Sequence, residues 1–181
     1  METDEDYVSA SIESRVEDLN EAFADKNVKA ILTVIGGFNS NQILDYIDYE
    51  NIKKNPKIIC GFSDITALLG AINTKTGLNV YYGPHFSSFG MEKGFEYTLE
   101  YFVKMFCEEN AIDIKSSNAW SNDAWFIDQE NRDFIQNEGM FIINEGVAEG
   151  KIIGGNLCTF NLLHGTKYMP DLENSILFLE D

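Results

Sequence analysis

Three short apolar runs, each bounded by glycine and separated from the next by a helical pattern, constrain this chain most. They are Ala30-Ile31-Leu32-Thr33-Val34-Ile35 before Gly36-Gly37, Lys57-Ile58-Ile59-Cys60-Gly61-Phe62, and Asn79-Val80-Tyr81-Tyr82 before Gly83-Pro84. The first two runs, apolar without alternation, are expected to be strands covered on both faces, and the third adds another strand. Ahead of them, Ser11 is placed to cap a helix to about Asp25, with Ile12, Val16, Leu19, Ala22 and Phe23 at helical spacing. Asn39 or Ser40 can start a short helix through Ile43, Leu44 and Ile47, and Ile65 opens another to about Asn73. Strand, helix and strand in this order imply right-handed crossovers and a parallel sheet.

Beyond the third run the pattern changes. A helix from about Phe95 to Glu108 is expected to close the first domain, spanning residues 1–110. Residues 111–138 are polar, lack a clear period and carry Trp120 and Trp125, as a long functional loop between domains would. From Gly139 short strands are expected at Met140–Asn144 and Lys151–Ile153, then a small helix near Leu157–His164 and a last run Ser175–Leu179. The expected fold is therefore α/β: an incomplete Rossmann-like parallel sheet with the start of a smaller β-rich C-terminal domain over 139–181.

Charge narrows the function classes. Lys plus Arg number 13 against 30 Asp plus Glu in 181 residues, a formal net charge of −17. Such a field repels phosphate backbones and anionic lipid, so neither nucleic acid nor membrane is an expected partner. No apolar run approaches the roughly 20 residues of a membrane span. The acidic start, with Asp4, Glu5 and Asp6 expected to be solvated, is unlike a secretory leader. Cys60, Cys107 and Cys158 show no CxxC spacing, so no zinc site, disulfide framework or other metal or cofactor is indicated. The expected location is cytoplasmic.

Two turns could carry chemistry. Gly61-Phe62-Ser63-Asp64 sits where a buried strand becomes a helix, which lifts Ser63 above the carboxyl edge of the sheet beside helix-start amides. That is the logic of a nucleophile elbow, although Ile65 stands where the usual pattern has a second glycine. The competing reading is a helix N-cap, with Ser63 bonded to backbone and doing no chemistry. Gly36-Gly37 also follows a strand on the same sheet edge, where free amides and close backbone approach suit an oxyanion hole. A simple turn needing positive φ is the alternative. His85 follows Gly83-Pro84 and His164 lies in the small helix; both read as structural. Tyr82 and Phe86 can line a cleft or the core.

Four stretches resemble the LD-carboxypeptidase family of serine peptidases, in its microcin C self-immunity branch. They are Ile35-Gly36-Gly37 with Asn39-Ser40-Asn41, Gly61-Phe62-Ser63-Asp64-Ile65-Thr66-Ala67-Leu68, Gly154-Gly155-Asn156-Leu157, and Leu177-Phe178-Leu179-Glu180-Asp181. The resemblance implies a Ser-Glu-His triad acting on an amide near a free carboxylate, without metal. Ser63 then resembles the nucleophile and Glu180 the acid that orients the histidine, while the Gly37 and Asp64 amides form the oxyanion hole. Gly36, Asn39, Trp120, Trp125 and Asn156 resemble substrate-contacting positions, the tryptophans stacking on a nucleotide base. The implied substrate is an aminoacyl or peptidyl nucleotide, cut as in microcin C self-immunity and antibiotic resistance. A murein tetrapeptide losing D-alanine is the nearer alternative, and a non-catalytic binding remnant the more distant one. A homodimer is implied for the full-length protein. The family's histidine lies downstream of the Leu-Phe-Leu-Glu strand and its opening strand precedes Met1, so the chain is expected to be an internal piece, inactive alone for want of a base. Scarce cations such as Lys151 or Arg132 would then help hold an anionic ligand.

Overall fold

The structure, a computed structural model, describes residues 9–181. They separate into two units, one running to His85 and resuming over Ala148–Asp181, the other Phe86–Val147. The acidic stretch Asp4–Asp6 lies outside the described residues.

In the first unit Ser11 caps as its position demands, its hydroxyl accepting the Ser14 amide hydrogen at 3.2 Å, and α1 runs Ile12–Ala24. Strands β1 (Ala30–Leu32), β2 (Ile58–Gly61) and β3 (Tyr81–Tyr82) form a parallel sheet in the order β1-β2-β3. Helix α2 (Tyr49–Lys54) lies between the first two strands and α3 (Ile65–Thr76) between the second two. The register sets Ile31 beside Ile59, Cys60 beside Tyr81 and Gly61 beside Tyr82.

Three readings from the sequence change. Burial on both faces holds for central β2 but not for β1, which is a sheet edge. The chain leaves the sheet after Thr33, whose amide still reaches the Cys60 carbonyl at 3.1 Å, so Val34 is 68% and Ile35 65% exposed. The helix expected from Asn39 or Ser40 is a single 3-10 turn, Ser40–Ile43, because Ser40 is engaged elsewhere. The strand expected at Met140–Asn144 does not form, and Phe141 is 91% exposed. Strand propensity alone does not order such a run without a neighbour to supply its ladder hydrogen bonds.

Helix α3 is the hub. Seven of its residues are buried, and Ala67, Ala71 and Ile72 join Phe23, Ile52, Ile59 and Leu163 in one core. Its far side receives α5 (Leu157–Leu162) and the parallel pair β6 (Lys151–Asn156) and β7 (Ser175–Glu180). In the second unit α4 (Glu96–Cys107) buries none of its residues fully. Phe89 packs edge-on against Phe95 and Phe102, with ring centroids 5.0 and 5.1 Å apart. Helix α4 therefore groups with the β4–β5 hairpin (Ala119–Trp120 and Ile135–Gln136) rather than with the parallel sheet.

Ile72 is fully enclosed at this hub. Ile72→Ala is expected to cost about 2–5 kcal/mol of unfolding free energy, read from the urea midpoint at constant m.

Candidate active site

The turn from β2 to α3 has three residues to reverse direction. Ser63 takes a left-handed backbone, φ 61°, shared among described non-glycine residues only with Asn174. That conformation costs an L-residue about 1–2 kcal/mol and persists where neighbours over-determine it. Here the Ser63 N–H donates to the Tyr82 hydroxyl at 2.9 Å, and the Ser63 carbonyl accepts the Thr66 amide hydrogen at 3.0 Å. The helix-cap reading fails: Asp64 occupies the N-cap position of α3, which has no side-chain cap bond. The Ser63 hydroxyl is thereby released from backbone duty at the end of a buried strand.

The glycine pair lies directly against it. A Cβ on Gly36 would stand 3.1 Å from both the Cβ and the Oγ of Ser63, so a larger residue there would push the serine aside. Asp64 fastens the two turns together. Its Oδ2 accepts the Ser40 amide hydrogen at 2.8 Å, and its carbonyl accepts the Ser40 hydroxyl at 2.5 Å. A Cβ on Gly37 would sit 3.6 Å from Asp64 Oδ2, so Gly37 lies beside the Asp64 carboxylate. The Ser63 amide is committed to Tyr82 and is not free to receive charge at the serine.

Glu180 comes from the other end of the chain. Pairing of β6 with β7 sets Gly155 beside Leu179 and Asn156 beside Glu180. Gly155 has φ 134°, and a Cβ there would meet Thr66 Oγ1 at 2.6 Å and the Tyr82 ring at 3.0 Å. Glycine therefore lets the pair close on α3. The Asn156 amide then donates to Thr66 Oγ1 at 3.0 Å, while its side-chain oxygen caps α5 through the Thr159 N–H, also at 3.0 Å. At the end of β7 the half-buried Glu180 accepts the Tyr82 hydroxyl at 2.5 Å. Burial foremost, and this carboxylate next, push the Tyr82 hydroxyl up to about 12.

Ser63, Glu180, Gly36, Gly37, Asp64 and Asn156 thus share the first unit and converge through Tyr82, Thr66 and Ser40. Asn39 is occupied otherwise: its Oδ1 accepts from Arg15 at 3.2 Å and its Nδ2 donates to Ser9 at 2.6 Å, which anchors the turn to α1. Trp120 and Trp125 belong to the second unit. Trp120 is 42% exposed, while Trp125 lies against Gly90 and meets Phe126 edge-on with centroids 6.0 Å apart.

His164 is exposed at the end of α5. His85 is 3% exposed, stacked on Phe62 with centroids 4.0 Å apart. The Thr33 hydroxyl lies 3.3 Å from the Cys60 carbonyl and shares a 2.9 Å hydrogen bond with His85 Nδ1. Nε2 has no partner and lies 3.4 Å from where a Gly36 Cβ would be. Burial lowers this imidazole to about 4. Among the described residues no group of three His, Cys, Asp or Glu could hold a metal ion. Sequence reasoning left out Ser40, Thr66 and the bridging use of Tyr82; a half-buried tyrosine hydroxyl that needs partners was the available signal.

Because position 63 is left-handed, Ser63→Gly is expected to be more stable than Ser63→Ala by about 1 kcal/mol in urea titrations. Equal stability of the two would contradict the bend. His85 supplies a pH dependence: the unfolded chain takes up its proton near the ordinary 6.5 and the folded chain only near 4. The unfolded state then binds more protons between those values, so stability falls as pH drops through that window. His85→Gln is expected to flatten this part of the wild-type stability curve.

The LD-carboxypeptidase N-terminal domain family matches residues 1–83, and the LD-carboxypeptidase C-terminal domain family matches residues 149–181. A Bacillus subtilis (strain 168) relative, YocD, is 59% identical over 97% of this chain and 54% of its own length. The Escherichia coli microcin C7 self-immunity protein MccF is 36% identical over 97% of this chain and 53% of its own. The crystal structure of an MccF-like protein from Bacillus anthracis str. Ames superposes with a TM-score of 0.96 at 60% identity, covering 98% of this chain and 54% of that one. MccF in complex with aspartyl sulfamoyl adenosine gives 0.86 at 36% identity, covering 95% and 54%. The chain spans about half the length of the curated relatives it matches. With both family segments in order and the strand-end serine inside the first, the chain belongs to the LD-carboxypeptidase family, in the branch of the microcin C7 self-immunity proteins.

Proposed function

We propose that this chain carries the nucleophile, oxyanion hole and orienting acid of a serine amidase that cleaves an aminoacyl or peptidyl nucleotide. One observation carries the reading: Ser63 sits in a left-handed bend, so close to Gly36 that a Cβ built there would stand 3.1 Å from its Oγ. A serine hydroxyl attacks a carbonyl well only when a base removes its proton and amides receive the charge. Ser63 Oγ attacks the amide carbon, and the tetrahedral oxyanion is received by the Gly37 and Asp64 N–H groups. The amine leaves with a proton, and water releases the acyl group from Ser63.

Glu180 orients the histidine that takes and returns these protons. In the family resemblance that histidine follows the Glu180 strand, and neither His85 nor His164 fills the role here: His85 is buried with its free nitrogen toward Gly36, and His164 is exposed just past the end of α5. Gly36 and Asn156 border the acyl group, and Asn39 holds the Gly36-Gly37 turn through Arg15. Trp120 and Trp125 stack on the base, each such contact being worth about 1–3 kcal/mol. The solved complex of MccF with aspartyl sulfamoyl adenosine supports a nucleotide-like substrate. Among the described residues no helix is long and apolar enough to cross a membrane. A cytoplasmic homodimer completes the reading.

The test is hydrolysis of aspartyl sulfamoyl adenosine by a full-length protein that carries the downstream histidine, followed by mass spectrometry beside a murein tetrapeptide. Release of aspartate is expected, and Ser63→Ala should lower kcat by on the order of 10⁴-fold or more. Full turnover by Ser63→Ala would end the proposal. Faster cleavage of the tetrapeptide would reassign the substrate to murein, and nucleotide binding without turnover would make the protein a binding remnant.

A further inference from the structure

The aromatic hydroxyl between the two ends of the site has a use beyond filling the core. Tyr82 stands at the end of β3, in register with Gly61, and its hydroxyl reaches past the strand to the bend that follows. Besides its contact with Thr66, it bonds two residues of the site. It accepts the Ser63 amide hydrogen at 2.9 Å and donates its own proton to Glu180 Oε1 at 2.5 Å. A core tyrosine needs one partner to satisfy its hydroxyl; this one uses its donor and its acceptor at once, on residues 117 positions apart in sequence.

The ring cannot swing away. Phe62 and Phe178 meet it edge-on, with centroids 6.3 and 6.2 Å distant, and a Cβ on Gly155 would stand 3.0 Å from its Cε2. With its hydroxyl pushed up to about 12, Tyr82 stays a donor to the carboxylate throughout the neutral range. A donor to a carboxylate becomes a better acceptor in turn, so the two bonds reinforce each other.

We propose that Tyr82 is a positioning residue: one hydroxyl holds the nucleophile bend and the orienting carboxylate at a fixed spacing. This rests on the reading of Ser63 as nucleophile and Glu180 as acid. Two consequences follow from the bonds. The Ser63 amide is withdrawn from the oxyanion hole, which leaves that task to Gly37 and Asp64. One carboxylate oxygen of Glu180 is pinned, so the other has a defined direction in which to accept an imidazole N–H.

Tyr82→Phe deletes the hydroxyl and keeps the ring contacts. In the proteins that hydrolyse the substrate, kcat is expected to fall roughly 100-fold, as misplacement of reacting groups does, with KM nearly unchanged. Fluorophosphonate labelling of Ser63 should slow in step, while the melting temperature stays close to wild type. Wild-type kcat and labelling rate in a folded Tyr82→Phe would overturn the proposal, and so would a loss confined to KM. A second measurement needs neither turnover nor a variant: nuclear magnetic resonance of the wild-type chain should show a slowly exchanging Tyr82 hydroxyl proton close to the Ser63 amide. Its absence overturns the bridge, whether or not Tyr82→Phe folds. Failure of the functional reading looks different, since Ser63→Ala would then keep its activity while the hydroxyl proton is still seen.

Discussion

Asp64 holds two turns together with two hydrogen bonds to one residue, and the remainder of the site depends on that pair. Ser40 gives Asp64 both its amide and its hydroxyl hydrogen, at 2.8 and 2.5 Å, with both residues buried. A buried carboxylate oxygen without such donors would cost several kcal/mol. The chain after β1 is therefore drawn onto the start of α3 rather than continuing the sheet, which is why Val34 and Ile35 face solvent. Once the turns touch, a side chain at position 36 would crowd Ser63, its Cβ standing 3.1 Å from the serine Oγ.

The same economy brings in the far end of the chain. Helix α3 offers Thr66 from its first turn, and the Thr66 hydroxyl takes the Asn156 amide at the end of β6. Gly155 removes the side chain that would block this approach, and parallel pairing carries Glu180 alongside Asn156. The segments that match the two family domains thus meet on one helix, which also contributes Ile65, Ala67, Leu68, Leu69, Ala71 and Ile72 to the core. Stability and site geometry share α3: a change that loosens its packing also moves Ser63 and Thr66.

Much of this could be read from the sequence, and the rest could not for identifiable reasons. The parallel strands, the cap at Ser11 and the glycine-bounded turns are local signals, set by β-branched runs, a hydroxyl before an apolar period, and glycine. Ser63 was legible as an elbow or a cap, and the structure removes the cap reading by putting Asp64 at the helix N-cap and Ser63 in a left-handed bend before it. The edge position of β1 was not legible, because burial of a strand depends on neighbours that its own residues do not name. Met140–Asn144 has strand composition and no partner, so its propensity goes unused. Tyr82 reads as core from its place beside a strand end; its role is a contact across 98 residues, which no local pattern encodes. Asn39, read as a substrate contact through the family resemblance, has its amide oxygen and nitrogen bonded to Arg15 and Ser9.

The most direct measurement is a crystal structure of the protein after reaction with a fluorophosphonate. Phosphorus bonded to Ser63 Oγ is the predicted result, with one phosphoryl oxygen within about 3 Å of the Gly37 and Asp64 amide nitrogens. An adduct on another side chain, or a phosphoryl oxygen turned to solvent away from both amides, would contradict the serine-and-amide site.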